Sequence, residues 1–109
     1  MSDSPKSARR LALEESLAAD PTDTFLRYGL AMQCLREGDL DEGRSRLEAL
    51  IADHPDDQVA SYQQLGQSYM DEGDPERARS YFVSGIAKAQ ALGDLKAAGE
   101  MQGFLELLG

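Results

Sequence analysis

The stretch YQQLGQSYMDEGDPERARSYFVSG, residues 62–85, sets the interpretation of the whole chain. Tyr62, Leu65, Gly66 and Tyr69 recur at spacings of one, three and four, so on a helix they share one face. Ala78, Phe82 and Gly85 recur at four and three and share a face of a second helix. Between the two sets lies Gly73-Asp74. Glycine supplies the left-handed residue that closes a helix, and aspartate caps the next one. Pro75 then stands at the first helical position, where its missing N–H costs nothing. The stretch predicts two antiparallel helices joined by a tight turn, with Gly66, Ala78 and Gly85 allowing close approach.

The same devices recur on either side. Glu37-Gly38-Asp39 followed by Gly43-Arg44-Ser45 repeats as Glu72-Gly73-Asp74 followed by Ala78-Arg79-Ser80, at an offset of 35 residues. Gly93-Asp94 repeats the turn a third time. Leu13-Glu14 through Asp20-Pro21 aligns with Leu47-Glu48 through His54-Pro55 at an offset of 34. The two offsets require one additional residue between Pro55 and Leu65. It belongs in the loop, because an insertion within a helix would rotate later side chains by about 100°. Glu42, three residues after Asp39, predicts a capping box, and Asp20-Pro21 ends the first helix. The expected helices are 7–19, 23–37, 40–53, 58–72, 75–91 and 94–108.

Tyr62, Leu65, Gly66, Tyr69, Ala78 and Phe82, with the 34-residue period, resemble the signature of the tetratricopeptide repeat family, in its small bacterial form. The resemblance implies an all-α stack of helix-turn-helix units, a solenoid of about six helices. It divides the chain into a disordered tail, 1–6, and a single domain, 7–109. Within the domain lie a half-repeat helix (7–21), two repeats (24–57 and 59–92) and a C-terminal capping helix (94–108). The second repeat lacks the helix-ending proline, having Gln90 there, so its last helix is expected to run on towards Leu92. In the first repeat Leu30, Ala31, Gly43, Leu47 and Pro55 fit. Arg27 falls at the aromatic position and Cys34 at the tyrosine position, with Phe25, Leu26 or Tyr28 as candidates to supply the lost bulk. In the capping helix Leu95, Ala98, Met101, Leu105 and Leu108 form a stripe suited to cover the second repeat, as terminal caps do.

In this family ligands usually lie against the first helix of each repeat. Carried over, that surface presents Phe25, Tyr28, Met32, Leu35 and Arg36 from the first repeat and Gln63, Gln67 and Met70 from the second, with Asp71 at its edge. One subgroup grips a C-terminal carboxylate with Lys, Arg and Asn; the matching positions here are Tyr28, Met32 and Gln64, so that clamp is absent. An apolar, amide-lined groove suits a peptide or helical segment of another protein. The resemblance thus implies a protein–protein interaction scaffold, not an enzyme, with no cofactor.

Composition agrees with this class. The net charge of −9, from 20 acidic and 11 basic residues, repels phosphate backbones and argues against nucleic acid. The acids are scattered, which points to general solubility more than to a basic partner. No apolar run approaches the ~20 residues needed to span a bilayer, and residues 1–6 do not resemble a secretory leader. A cytoplasmic protein is expected, and the single Cys is compatible with a reducing compartment.

A few individual residues invite sharper interpretations. His54 among Asp53, Asp56 and Asp57 reads as a solvated helix end, since no second His or Cys supports a metal. Cys34 falls on the core side of its helix and reads as a structural thiol. Gly99 and Gly103, one turn apart, could admit a neighbouring helix, and the intrachain explanation is preferred. An alternative function is self-assembly, with Phe104 and Leu107 of the closing helix as a homodimer surface. A monomer is preferred.

Overall fold

The structure is a computed structural model that describes residues 5–109. Among these residues there are six α-helices and no strand. They are α1 (Ala8–Ala19), α2 (Thr24–Arg36), α3 (Leu40–Asp53), α4 (Val59–Glu72), α5 (Pro75–Leu92) and α6 (Leu95–Leu108). Each begins or ends within about two residues of its expected position, and α5 does run on to Leu92. The extra residue lies where expected: the α1–α2 connection spans residues 20–23 and the α3–α4 connection spans 54–58. Of the expected tail, residues 1–4 lie outside the described residues, while Lys6 pairs with Glu14 at 2.7 Å.

Three turns are built alike. Gly38, Gly73 and Gly93 have φ of 82°, 86° and 74°. In each case the following aspartate donates its N–H back to the helix it leaves: Asp39 to Cys34 O, Asp74 to Tyr69 O and Asp94 to Ala89 O, at 2.8–2.9 Å. This is the Schellman closure that a left-handed glycine permits. Asp74 and Asp94 then accept the N–H of Arg77 and Ala97, both at 3.1 Å. At Asp39 the matching bond from Glu42 N stretches to 3.5 Å. The capping box expected there is only half made. The Asp39 N–H is already given to Cys34 O, and the Glu42 carboxylate turns to Arg46 and Arg10 instead.

The chain divides into two compact units, Met1–Leu50 and Ile51–Gly109. In the second unit α4, α5 and α6 pack around Leu65, Phe82 and Met101, all fully buried. A Cβ at Gly66 would lie 2.5 Å from the Phe82 ring, and one at Gly85 would lie 2.6 Å from Met101 Sδ and 2.9 Å from Tyr62 Cβ. These glycines let side chains, not bare backbones, fill the space. Phe82 also stacks on Phe104 of α6, with ring centroids 5.1 Å apart. Phe104 therefore completes the cap and is half-buried, which removes it from the surface expected for self-assembly.

The rest of α6 departs from expectation in two places. Ala98 and Met101 are buried, but Leu95, expected in the covering stripe, is 74% exposed. A Cβ added at Gly99 or Gly103 would meet nothing within 4 Å, so no neighbour among the described residues explains these glycines. Both lie on the solvent side of α6.

In the first unit α2 and α3 bury Leu30, Ala31, Cys34, Leu47 and Leu50 completely. Gly43 receives the Leu35 side chain, at 2.6 Å from where its Cβ would be. Of the three residues considered for the missing aromatic bulk, Phe25 is exposed, while Leu26 and Tyr28 are half-buried. Helix α1 lies on α2 with Leu13 near Gly29. Its one buried residue is Arg10.

Candidate functional site

The residues expected to bind a partner occupy faces of α2 and α4, one in each unit. On α2, Phe25 is 84% exposed, Arg36 is exposed, and Tyr28, Met32 and Leu35 are half-buried. Residues 25, 28, 32 and 36 follow a helical spacing and line one stripe. Leu35 turns away from it onto Gly43. The Arg36 guanidinium folds back along its own helix and donates to Gln33 Oε1 at 3.1 Å and 3.3 Å. Helix α1 contacts Gly29, Gln33 and Glu37 of α2, while Phe25, one turn before Gly29, stays uncovered. On α4, Gln63, Gln67 and Met70 are half-buried and Asp71 is exposed.

The first unit also contains a polar cluster that was not among the sequence-based expectations. Arg10 is 4% exposed. Its Nη2 lies 2.9 Å from Asp39 Oδ2 and 3.0 Å from Glu42 Oε1, and its Nη1 lies 3.6 Å from Glu37 Oε1. Its Nε is 3.7 Å from Glu14 and makes no hydrogen bond among the described residues. Ser7 caps α1 by accepting the Arg10 N–H at 3.0 Å and donates its hydroxyl to the Glu37 carboxylate. Gln33 Nε2 donates to the same carboxylate at 2.8 Å.

The electrostatics follow from these contacts. The Ser7 hydroxyl, then the Gln33 amide, hold the Glu37 carboxyl below its ordinary value. Burial pushes Glu42 towards its neutral form, but Arg46, Cys34 and Arg10 together outweigh it and lower its pKa. Burial, then Glu42, push the Cys34 thiol up to about 11. At neutral pH it is a protonated thiol with no exposure, which is the structural role expected and not that of a nucleophile. No local pattern announces this cluster. The partners of Arg10 lie as far away in sequence as Glu42, 32 positions on, and the nearest cue was Glu14 one turn on from Arg10.

A tetratricopeptide repeat family model matches residues 5–67 and again residues 35–99. A TPR repeat-containing protein of Pseudomonas aeruginosa is 32% identical over 96 residues, covering 88% of this chain and 90% of that protein. Among solved structures, a protein from Bordetella parapertussis superposes with a TM-score of 0.81 at 29% identity, covering 94% of this chain and 88% of that one. A tetratricopeptide repeat domain protein from Salinibacter ruber gives a TM-score of 0.75 at 29% identity, with 82% and 89% covered.

Proposed function

Because this chain belongs to the tetratricopeptide repeat family, whose fold is generally a non-enzymatic protein–protein interaction module, we propose that it is a scaffold for a peptide or helical segment of another protein. The partner docks on the first helices of the repeats, 24–57 and 59–92. Phe25, Tyr28, Met32 and Arg36 serve on α2, and Gln63, Gln67 and Met70 on α4. The observation that carries this reading is Phe25, a large aromatic left 84% exposed beside half-buried Tyr28 and Met32. Aromatic anchors in such a setting dominate binding energies at interfaces. The amides of Gln63 and Gln67 can bond the backbone of an extended segment. Leu35, packed on Gly43, supports the α2 face from behind. The test is affinity capture from the native organism with wild type and with Phe25→Ser/Met32→Ser. Loss of the captured protein with unchanged helicity supports the assignment, and identical capture refutes it.

A second reading, self-association through α6, is favoured by one observation. Leu95 and Leu107 are 74% and 78% exposed on either side of Gly99 and Gly103, whose surroundings are open. The four residues are spaced every four positions and read the same in both directions, so a second copy could meet them antiparallel. Light scattering at high protein concentration decides this reading: a monomer removes it.

A further inference from the structure

Helix α1 is held to its neighbours by charge more than by apolar area. Leu11 is 51% exposed, and Leu13 and Leu17 are only half-buried. At 12 residues α1 is too short to be stable alone in water. What anchors it is Arg10, received by Glu37 at the end of α2, Asp39 in the turn and Glu42 in α3. If Arg10 leaves, Glu37 and Asp39 lose its positive charge and Glu42 keeps only the Arg46 contact at 2.9 Å on its other oxygen, so the site calls for a further cation. A planar guanidinium suits it better than an ammonium, because its forked donors reach several acceptors at once. Arg10 does not satisfy the arrangement fully, since its buried Nε makes no hydrogen bond among the described residues and stands 3.7 Å from Glu14. An open cleft of about 310 Å³ reaches the site, bordered by Lys6, Ser7 and Arg10 on one side and by the three carboxylates on the other.

We propose that Glu37, Asp39 and Glu42 form an exchangeable arginine-binding site: Arg10 is its resident ligand, and when α1 lifts away the site takes an arginine from an amphipathic helix of another protein. That helix carries an apolar residue three positions after its arginine, as Leu13 follows Arg10, to fill the space beside Gly29. The acceptors Glu37, Asp39 and Glu42 are none of the docking residues proposed above, so the two proposals are tested by different substitutions, at Arg10 here and at Phe25 and Met32 there.

Two measurements test this. In native-state hydrogen exchange on the wild-type chain, α1 amides should exchange at least about tenfold faster than those of α2 and α3, since α1 opens below the global transition. Exchange of α1 only with global unfolding overturns the proposal. In the full-length Arg10→Ala chain, α1 protection should fall by about 100-fold, because a buried ion cluster has lost its cation. A synthetic peptide of residues 5–20 should then bind that chain and protect α2. The same peptide carrying Arg10→Lys should bind about tenfold more weakly, and one carrying Arg10→Ala should not bind at the same concentrations. Equal binding of the arginine and alanine peptides overturns the proposal. Should the Arg10→Ala chain lose α2 and α3 as well, excess arginine peptide added to wild type decides. Loss of α1 protection supports exchange, and unchanged protection overturns it.

Discussion

The two units of this molecule solve the same packing problem by different means. In the second unit, small residues receive large ones: Gly66 receives Phe82, and Gly85 receives Met101 and Tyr62. In the first, Gly43 receives Leu35 in the same manner, but the outer helix α1 is fastened through Arg10 and carboxylates from α2, the turn and α3. Apolar interlock is insensitive to pH and salt. A charge cluster is sensitive to both, because its strength depends on ionisation and solvent access. The contrast separates the rigid part of the fold from the part that can open. Interlocked helices share the global stability, while a charge-latched helix can leave early.

The largest effect should come from breaking the interlock. Phe82→Ala removes a fully buried ring that touches Gly66 and Phe104, and should cost about 3–5 kcal/mol in chemical denaturation. A neutral result would place the core elsewhere. Next comes the latch. Arg10→Ala should cost about 2–3 kcal/mol, less than a fully enclosed ion pair would, because the carboxylates keep some solvent contact. The loss should be confined to α1, and spread into α4–α6 would erase the contrast between the units.

Acid should act on the same side. Glu37 and Glu42 have pKa values lowered from their usual 4.5 in the fold, so their contribution is complete above that value. It is lost as the pH falls through the lower folded values, when the unfolded chain has already taken up its protons. Cys34 works in the opposite sense. Its thiol is raised from 9.0 to about 11, so its contribution is complete below 9.0 and is lost as the pH rises towards the folded value. Amide exchange followed from neutral pH into acid should show α1 opening before α5. If α5 opens first, the latch is not where the acid sensitivity resides.

Smaller effects probe the exposed faces. Gly99→Ala and Gly103→Ala should each stabilise α6 by up to about 1 kcal/mol, since both stand in a helix with open space around them. If they destabilise, α6 has a neighbour that needs the glycines, and self-association becomes the preferred reading. Smallest of all, Phe25→Ala should change stability by no more than about 0.5 kcal/mol, although it removes an aromatic ring. A larger loss would mean that Phe25 belongs to the core and not to a docking face.

The helices, their turns and the interlock of the second unit were all legible in the order of the residues, because these are local matters. A glycine before an aspartate closes one helix and opens the next through backbone bonds within a few residues, and a period of three and four marks a buried face wherever the chain goes. Residues 62–85 therefore kept their meaning, down to the ring of Phe82 filling the space left by Gly66. The environment of Arg10 came from packing instead. Its acceptors come from three later segments and obey no periodicity, and in sequence it is one of two adjacent arginines on a mixed helix. The same holds at α6, where the apolar period predicted cover for Leu95. Only the packed position of the helix shows that Phe104 takes a place in the cap while Leu95 is left in solvent. Periodicity tells which residues share a face. Where that face ends against a neighbour is set by the neighbour.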